Sequence, residues 1–330
     1  MTPPLEENAK VGPYVVVRWL GRGGFAQVYE VESVTLNRRF ALKLFEGGGE
    51  RSEKEEREAK LIAGLYHPNI LSVVDFGECA EGRYLVMELM AGGSLWTAVK
   101  RDGPLSWEQL QPTAEGILRA LDYLGSQGLV HGDVKPANVL LDAFGTAKLA
   151  DFGLAGTEHR GGTAAFLSPE ALLSKQSDHR SDLYALGATL FAAMTGRPPR
   201  IGKRAEIRAQ LKDGETIDLD GELGRQPEGV RGFLASLLAE DPATRVQTAA
   251  AALDALPARD APLEDEEPAI AAPRSRRRRP AARRVARAAP PRPTRKVRAA
   301  PATEAELVTR AMVALVVIAA AGIAYMLATR

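Results

Sequence analysis

The chain has 330 residues, 45% of them hydrophobic and 26% charged, which is typical of a packed globular protein with one large domain or two smaller ones. Its single cysteine, Cys79, excludes an internal disulfide, and one cysteine with four histidines is too few for a structural zinc site. A reducing compartment is the simpler expectation. Residues 1–10 contain no apolar run of the kind that a secretory signal needs.

The net charge of +1 conceals two regions of opposite charge. Residues 274–298 contain 12 arginine and lysine residues and no acidic residue, which leaves 31 basic against 42 acidic residues elsewhere. The rest of the chain therefore carries a charge near −11. A basic segment on an acidic protein points to an anionic surface as the partner of that segment.

The first part of the chain is rich in strand signals. Short β-rich runs bounded by turn residues predict strands over 14–20, 27–34, 39–45, 71–78 and 83–89. Between the third and fourth runs, charged residues with apolar positions at helical spacing predict a helix over 50–66. Residues 14–90 are therefore predicted to form a small β-rich lobe, preceded by an N-terminal extension of residues 1–13.

After Gly93 the pattern becomes mainly helical. The clearest helical segments are 106–127, 181–195 and 229–238. A small sheet followed by a larger helical part predicts a two-lobed α+β architecture, with the second lobe over residues 91–256.

The composition changes at residue 257. Proline, alanine and arginine dominate residues 257–308, a composition that cannot bury enough apolar area to fold, so we expect a disordered linker. Residues 311–328 then contain no charge over 18 residues. As a helix they would extend about 27 Å, close to the hydrocarbon thickness of about 30 Å. A buried core helix is the alternative, but the long linker leaves no core nearby, so we expect a C-terminal membrane span with no outer domain.

The basic segment beside this span favours a cytoplasmic position for the N-terminal part. It would also attract anionic lipid headgroups. A solvated linker of biased composition is the alternative interpretation. No nucleic-acid partner is expected, because no aromatic residues are interleaved with the arginines for base stacking.

A glycine-rich segment connects the first two predicted strands. Residues 21–28 read Gly-Arg-Gly-Gly-Phe-Ala-Gln-Val. Glycines allow backbone N–H groups to approach phosphates closely, although glycine-rich hairpin turns are also common. A strand follows this segment, which excludes a dinucleotide-binding fold because that fold needs a helix there.

Lys43 lies in the apolar run Phe-Ala-Leu-Lys of the third predicted strand. A lysine in such a strand is costly unless it is paired, and Glu58 on the predicted helix is the natural partner. The alternative is a solvent-facing lysine on an edge strand.

The most informative segment reads His-Gly-Asp-Val-Lys-Pro-Ala-Asn over residues 131–138. The sequence Asp-Phe-Gly follows at 151–153, after a stretch that has the pattern of a hairpin. The segment supplies a carboxylate that can orient a hydroxyl, a cation for a moving phosphate, and an amide that can hold magnesium together with the second carboxylate. His131 is expected to support the fold from inside.

In this order and spacing the motifs resemble the eukaryotic-type (Hanks-type) serine/threonine protein kinase family, in its bacterial membrane-anchored branch. The resemblance covers residues 14–256. It implies the bilobal protein kinase fold, ATP and Mg²⁺ as cofactors, and serine or threonine hydroxyls of proteins as substrates.

The resemblance also implies a role for each matching residue. Asp133 would be the catalytic base, Lys135 would steady the γ-phosphate, and Asn138 and Asp151 would hold magnesium. The loop over ATP would comprise Leu20, Gly21, Arg22, Gly23, Gly24, Phe25, Ala26 and Val28. Lys43, paired with Glu58, would bind the α- and β-phosphates. Around the adenine the resemblance implies Met87 at the back, backbone groups of Glu88 and Met90, and a sandwich of Val28, Ala41 and Leu140.

Further motifs are similar to structural parts of the family. Residues 162–170 resemble the end of the activation segment, in which Glu170 would pair with Arg245. Asp182 resembles the helix carboxylate that anchors the catalytic-loop backbone. Lys135 and Thr163 together indicate substrates of the serine or threonine type.

Two positions depart from the family pattern. Ala26 replaces the usual third glycine, which we expect to stiffen the loop slightly and to spare ATP binding. Gly132 stands where many members have an arginine that receives an activation-loop phosphate. Thr157 is the only hydroxyl residue between Asp151 and Gly162. We therefore expect an enzyme whose activity does not depend on phosphorylation of Thr157.

There are two alternative functions. A membrane-tethered pseudokinase adaptor would be favoured by loss of Lys43, Asp133 or Asp151, and all three are present. A small-molecule kinase of similar fold is disfavoured by residues 163–170, which resemble the segment that shapes a peptide site.

Overall fold

The computed structural model describes residues 4–23, 26–45, 64–151, 163–174, 177–224 and 226–258. All of them belong to the first of two units into which the chain divides, Met1–Glu267 and Pro268–Arg330. The predicted span 311–328 and nearly all of the predicted linker 257–308 lie outside the described residues, as do Gly24, Phe25 and Glu58. Within the described ranges, no helix has the length and apolar character needed to cross a membrane.

The N-terminal part forms an antiparallel sheet. Its strands are β1 (Lys10–Val11), β2 (Tyr14–Gly23), β3 (Ala26–Ser33), β4 (Arg38–Phe45), β5 (Val73–Cys79) and β6 (Gly82–Glu88). Their order across the sheet is β1-β2-β3-β4-β6-β5, and every neighbouring pair is antiparallel.

Alternate residues of β4 serve opposite faces of this sheet, as strand geometry requires. Leu42 and Leu44 pack into one buried apolar cluster. Ala41 and Phe45 pack into a different cluster, which also contains Ala150, the residue directly before Asp151. Lys43 lies between Ala41 and Phe45 and therefore shares their face, which is the face toward the helical part.

The predicted strands all fall on observed strands, with boundaries moved by a few residues. The two-residue β1 was not expected. The prediction of a helix as far as residue 66 is wrong at its end, because residues 64–66 form a turn and then irregular chain. Pro68 further disfavours any continuation of a helix through His67, since the residue before a proline is disfavoured in the α conformation. Residues 50–63 of that predicted helix lie outside the described part.

The remainder consists mainly of helices. They are α1 (Leu95–Asp102), α2 (Trp107–Ser126), α3 (Pro169–Leu173), α4 (His179–Thr195), α5 (Arg204–Lys212), α6 (Leu219–Leu223), α7 (Glu228–Leu238) and α8 (Ala249–Asp254). A second sheet has the order β7-β8-β9, formed by Gly93–Ser94, Val139–Leu141 and Ala147–Leu149. The predicted two-lobed α+β architecture is confirmed.

Helix α4 runs through the middle of the helical core. Every residue from 181 to 194 is buried, so the helix is covered on all sides. A Cβ atom added at Gly187 would lie 2.8 Å from the Cβ of Leu237, so α4 and α7 pack at a distance that only glycine permits. Asp178 caps the start of α4, and Gly196 ends it with a φ of 77°. The first turn of α4 therefore delivers Asp182 into the interior.

Helices α2, α4 and α7 match the predicted segments 106–127, 181–195 and 229–238 to within two residues at each end. The shorter helices were not predicted individually. Helices of one to three turns contain too few apolar repeats for a periodic signal, and they depend on tertiary packing for their stability.

Candidate active site

His131 organises the centre of the loop that carries Asp133. Its side chain is fully buried. The backbone N–H of Asp133 donates to Nδ1 at 3.2 Å, which makes Nε2 the protonated nitrogen that donates to the carbonyl of Ala150 at 3.2 Å. Burial lowers the pKa of His131 to about 4, so the ring is neutral at physiological pH. The prediction that His131 supports the fold from inside is confirmed.

Asp182 binds the backbone of the same loop from the helical core. Its two carboxylate oxygens accept the backbone N–H groups of His131 at 2.7 Å and of Gly132 at 2.8 Å. The predicted anchoring of the loop backbone by Asp182 is confirmed. Burial raises the pKa of Asp182 to about 6, despite the two N–H donors. Gly132 has a φ of 76°, a conformation that costs other residues energy.

Asp133 is largely buried in this loop, with 8% of its area exposed. Its Oδ2 accepts from Nζ of Lys135 at 2.6 Å and from Nδ2 of Asn138 at 2.9 Å. Its Oδ1 is buried and has no hydrogen-bond donor within the described part of the chain. A buried carboxylate oxygen without a donor is rare and marks a place where a donor group is accommodated.

The hairpin of β8 and β9 brings Asn138 and Asp151 together. Asn138 directly precedes β8, and Asp151 follows β9 by two residues. The N–H of Ala150 donates to the carbonyl of Asn138 at 2.8 Å, which closes the open end of the hairpin. Thirteen residues of sequence thus place the predicted amide and carboxylate at neighbouring positions.

Asp151 contacts Lys43 across the cleft. The Nζ of Lys43 lies 2.6 Å from Oδ1 of Asp151, and the Asp151 side chain is about half exposed. The Lys43 ammonium lowers the pKa of Asp151, so this carboxyl is ionised at neutral pH. Asp151 has a φ of 55°, which is uncommon for a residue other than glycine and often marks functional sites. The predicted pairing of Lys43 with Glu58 stays a prediction, because Glu58 lies outside the described residues.

The donor atoms at Asn138 and Asp151 fit a magnesium ion. Nδ2 of Asn138 is used by Asp133, which leaves its amide oxygen as the group for a cation. Mg²⁺ prefers oxygen ligands and is commonly held by one or two protein groups, with phosphates and waters completing its shell. Within the described ranges, no group of three or more histidine, cysteine or acidic residues can hold a metal by itself. A metal here would therefore need ligands from a phosphate and water.

Four of the predicted adenine contacts lie in or against a single apolar cluster: Ala41, Met87, Met90 and Leu140. Ala41 is paired with Met87 across β4 and β6, and Val28 is paired with Lys43 across β3 and β4. The sheet register therefore places the apolar contacts beside the lysine.

The glycine-rich segment forms the turn end of β2 and β3. Gly21, Arg22 and Gly23 pair with Val28, Gln27 and Ala26, respectively. Leu20 is 37% exposed at a register shift in β2, whereas Ala26 is buried in the cleft-facing cluster. The two residues of the tip, Gly24 and Phe25, lie outside the described part.

Glu88 uses more of its groups than the sequence indicated. Its backbone N–H donates to the carbonyl of Ser72, so this N–H is not the group offered to an adenine. Its Oε1 accepts from the backbone N–H of Ser72, and both of its carboxylate oxygens accept from Nζ of Lys148. Sequence reasoning missed Lys148. The signal was available, because Lys148 precedes Leu149 in an apolar strand, just as Lys43 follows Leu42.

The predicted pair of Glu170 and Arg245 is confirmed. Two Arg245 nitrogens donate to the two Glu170 oxygens at 2.8 and 3.0 Å, and Ser181 donates to the same carboxylate at 2.8 Å. Burial alone would raise the pKa of Glu170, but these donors bring it below its usual value. This pair ties α3, which begins within the activation-segment motif, to the helical core.

Comparison with known proteins agrees with this geometry. The family described as "Protein kinase domain" matches residues 14–255. Serine/threonine-protein kinase PrkC of Bacillus subtilis (strain 168) is 33% identical over 252 residues, which cover 72% of this chain and 39% of PrkC. Serine/threonine-protein kinase PknA of Mycobacterium tuberculosis (strain ATCC 25177 / H37Ra) is 35% identical over 266 residues, covering 75% of this chain and 61% of PknA.

Among solved structures, residues 1–466 of Rad53 in complex with AMP-PNP superpose with a TM-score of 0.64 and 31% identity, covering 73% of this chain and 64% of that one. The chain spans about two fifths of the length of the first curated relatives it matches. From the matched domain, the fold and these relatives together, the chain belongs to the Hanks-type serine/threonine protein kinase family.

Proposed function

We propose that this protein transfers the γ-phosphoryl group of ATP to serine or threonine hydroxyls of proteins, with Mg²⁺ as cofactor. The observation that carries the proposal is the convergence of four residues distant in sequence. Lys43 contacts Asp151, Asn138 contacts Asp133, and Ala150 links Asn138 to Asp151. Phosphoryl transfer depends mainly on positioning and charge stabilisation, and these groups supply both.

The nucleotide would lie between the two lobes. Its adenine would be held by Val28, Ala41 and Leu140, with Met87 at the back and backbone groups of Glu88 and Met90 at the edge. Lys43 would contact the α- and β-phosphates, under the loop of residues 21–28. Asn138 and Asp151 would hold magnesium, which neutralises phosphate charge when bound.

Asp133 would orient the substrate hydroxyl and accept its proton as the oxygen–phosphorus bond forms. The bond between the γ-phosphorus and the oxygen that bridges to the β-phosphate breaks, and ADP leaves with its electron pair. Lys135 contacts Asp133 Oδ2 in the structure, and a short movement of its flexible side chain would bring the ammonium to the γ-phosphate. Lys135 and Thr163 favour serine and threonine as acceptors by resemblance.

The proposal includes independence from activation-loop phosphorylation. Gly132 offers no cation to a phosphate on that loop, and its N–H is already bound by Asp182. Thr157 lies outside the described residues. If replacement of Thr157 by alanine lowered peptide phosphorylation a hundredfold, this part of the proposal would be wrong.

We also propose that the protein is anchored by residues 311–328, with its folded domain on the cytoplasmic side and the basic linker near anionic lipids. The support is the sequence pattern alone. Cell fractionation tests this proposal: the full chain should sediment with membranes, and a chain ending at residue 258 should stay in the supernatant.

The activity is tested with radiolabelled ATP and a generic protein substrate. The wild type is expected to transfer label to the substrate. The rate of transfer by Asp133→Asn is expected to be lower by at least about a hundredfold. Asp122→Asn, which alters an exposed carboxylate on α2, is the matched control and should behave as wild type. Nucleotide binding without any label transfer by wild type would favour a pseudokinase instead.

A further inference from the structure

The carboxylate of Glu88 joins three segments of the chain. Glu88 is the last residue of β6, at the connection between the lobes. Its Oε1 accepts the backbone N–H of Ser72 at 2.8 Å and Nζ of Lys148 at 2.8 Å, and its Oε2 accepts from the same Nζ at 2.9 Å. We call Glu88, Lys148 and the Ser72 N–H the Glu88 clasp.

The Glu88 clasp is largely removed from solvent. The Lys148 side chain is 17% exposed and the Glu88 side chain is 23% exposed. Ion pairs of this kind are costly to desolvate, and an apolar pair of similar volume often stabilises a fold as well or better. A charged pair at this position therefore points to a directional role, since charges fix a spacing that apolar packing leaves loose.

The segments that the clasp joins reach both ends of the proposed nucleotide. Glu88 is two residues from Met90, on the adenine side. Lys148 is three residues from Asp151, on the phosphate side. Residues 148–151 are also held by backbone hydrogen bonds. The N–H of Leu149 donates to the carbonyl of Asn69, and the carbonyl of Leu149 accepts from the N–H of Leu71.

Asn69 extends this connection into the helical part. Its Nδ2 donates to the carbonyl of Ala147 at 2.9 Å. A Cβ atom at Gly116 of α2 would lie 2.6 Å from the same nitrogen, so α2 contacts this amide directly. Strand β9 is thus linked through Ala147 to Asn69, which packs against α2, and through Lys148 to the end of β6.

We propose that Glu88 and Lys148 are a positioning pair that sets the distance between the adenine-binding edge and Asp151, and thereby the affinity for the nucleotide. This inference rests on the proposed function, because it assigns these side chains to nucleotide binding. Neither side chain needs to contact the reacting phosphate, and both act through the segments that they hold.

The test is a double-mutant cycle in the full-length chain with Glu88→Gln, Lys148→Met and the double variant. KM for ATP, kcat, and the dissociation constant of ADP are measured together with the thermal midpoint. Each single variant is expected to raise KM and the ADP constant five- to tenfold, with a smaller change in kcat. The double variant is expected to match the worse single variant, because the pair is already broken and removing the second partner breaks no further contact.

Glu115→Gln is the matched control, because Glu115 forms an exposed ion pair with Arg119 on α2. It should leave KM and kcat unchanged. Folded single variants with wild-type KM, or effects that multiply in the double variant, would overturn the inference. If a single variant does not fold, the double variant decides, and a wild-type KM there overturns it as well. If the wild-type protein binds ADP but transfers no label, the proposed function is wrong. The role of the Glu88 clasp in nucleotide affinity is then still tested by the dissociation constants of ADP.

Discussion

The loop around Asp133 and the glycine-rich end of β2 and β3 face the same cleft but are held in different ways. Asp133 rests on buried polar groups, since Asp182 and His131 bind the loop backbone from the core. The glycine-rich end, which we call the roof, is held by the pairing of β2 with β3 and by the buried Ala26, with Leu20 partly exposed. We infer that changes below the cleft affect both folding and catalysis, whereas changes in the roof affect activity with little loss of stability.

The largest expected effect is that of Asp182→Ala. The variant leaves the N–H groups of His131 and Gly132 buried without an acceptor, which costs about 2–4 kcal/mol of unfolding free energy. Phosphorylation of a peptide should fall at least a hundredfold, because Asp133 is no longer fixed. Urea denaturation and steady-state kinetics measure both quantities. A variant with wild-type stability would contradict the contrast between the two regions.

Lys43→Met tests the other side of the cleft. Activity should fall about a hundredfold, because Lys43 is the proposed ligand of the α- and β-phosphates. The unfolding free energy should change by less than about 1 kcal/mol, since the partner Asp151 is half exposed and the pair is screened. Lys100→Met, on the exposed side of α1, is a suitable control. A loss of stability as large as that of Asp182→Ala would show that the strand side of the cleft, to which β4 belongs, contributes to folding as strongly as the Asp133 loop does.

The pH dependence of stability distinguishes the contribution of His131 from that of Asp182. His131 has a folded-state pKa of about 4, below its ordinary value near 6.5, so its contribution to stability is lost as pH falls through this window. Asp182, with a folded-state pKa of about 6, acts in the opposite direction, because the folded state takes up its proton first as pH falls.

His131→Phe isolates the histidine contribution. The variant should be less stable than wild type at pH 7, because two hydrogen bonds are lost. From pH 7 to pH 5 the difference should shrink by about 2 kcal/mol, since only wild type must keep a buried imidazole neutral. A difference independent of pH, measured by urea denaturation at both values, would refute the assignment of a neutral buried His131.

The smallest expected effect is that of Gly132→Ala. A residue with a side chain pays about 1 kcal/mol for the left-handed conformation at this position. Gly125→Ala is the matched control within α2, where a Cβ meets no atom within 4 Å and alanine should stabilise by about 0.5–1 kcal/mol. Equal stability changes in the two variants would argue against strain at Gly132.

The two regions also differ in how far the sequence predicts them. The contacts of Asp182 and the pair of Glu170 and Arg245 were expected from motifs and are confirmed, because each motif carries its partner at a typical distance along the chain. The clasp of Glu88 and Lys148 was missed, because the resemblance implied only backbone contacts for Glu88 and no role for Lys148. The helix predicted over 50–66 was wrong at residues 64–66, which form a turn and irregular chain although the apolar spacing continues to Tyr66.

We expect Lys43, Asp133, Asn138 and Asp151 to surround a single metal-bound ATP. The decisive measurement is a crystal structure with a nonhydrolysable ATP analogue and Mn²⁺. It should show an anomalous scattering peak within about 2.5 Å of oxygens from both Asn138 and Asp151, with Lys43 on the phosphates. A nucleotide bound elsewhere, or a metal that contacts neither residue, would contradict it.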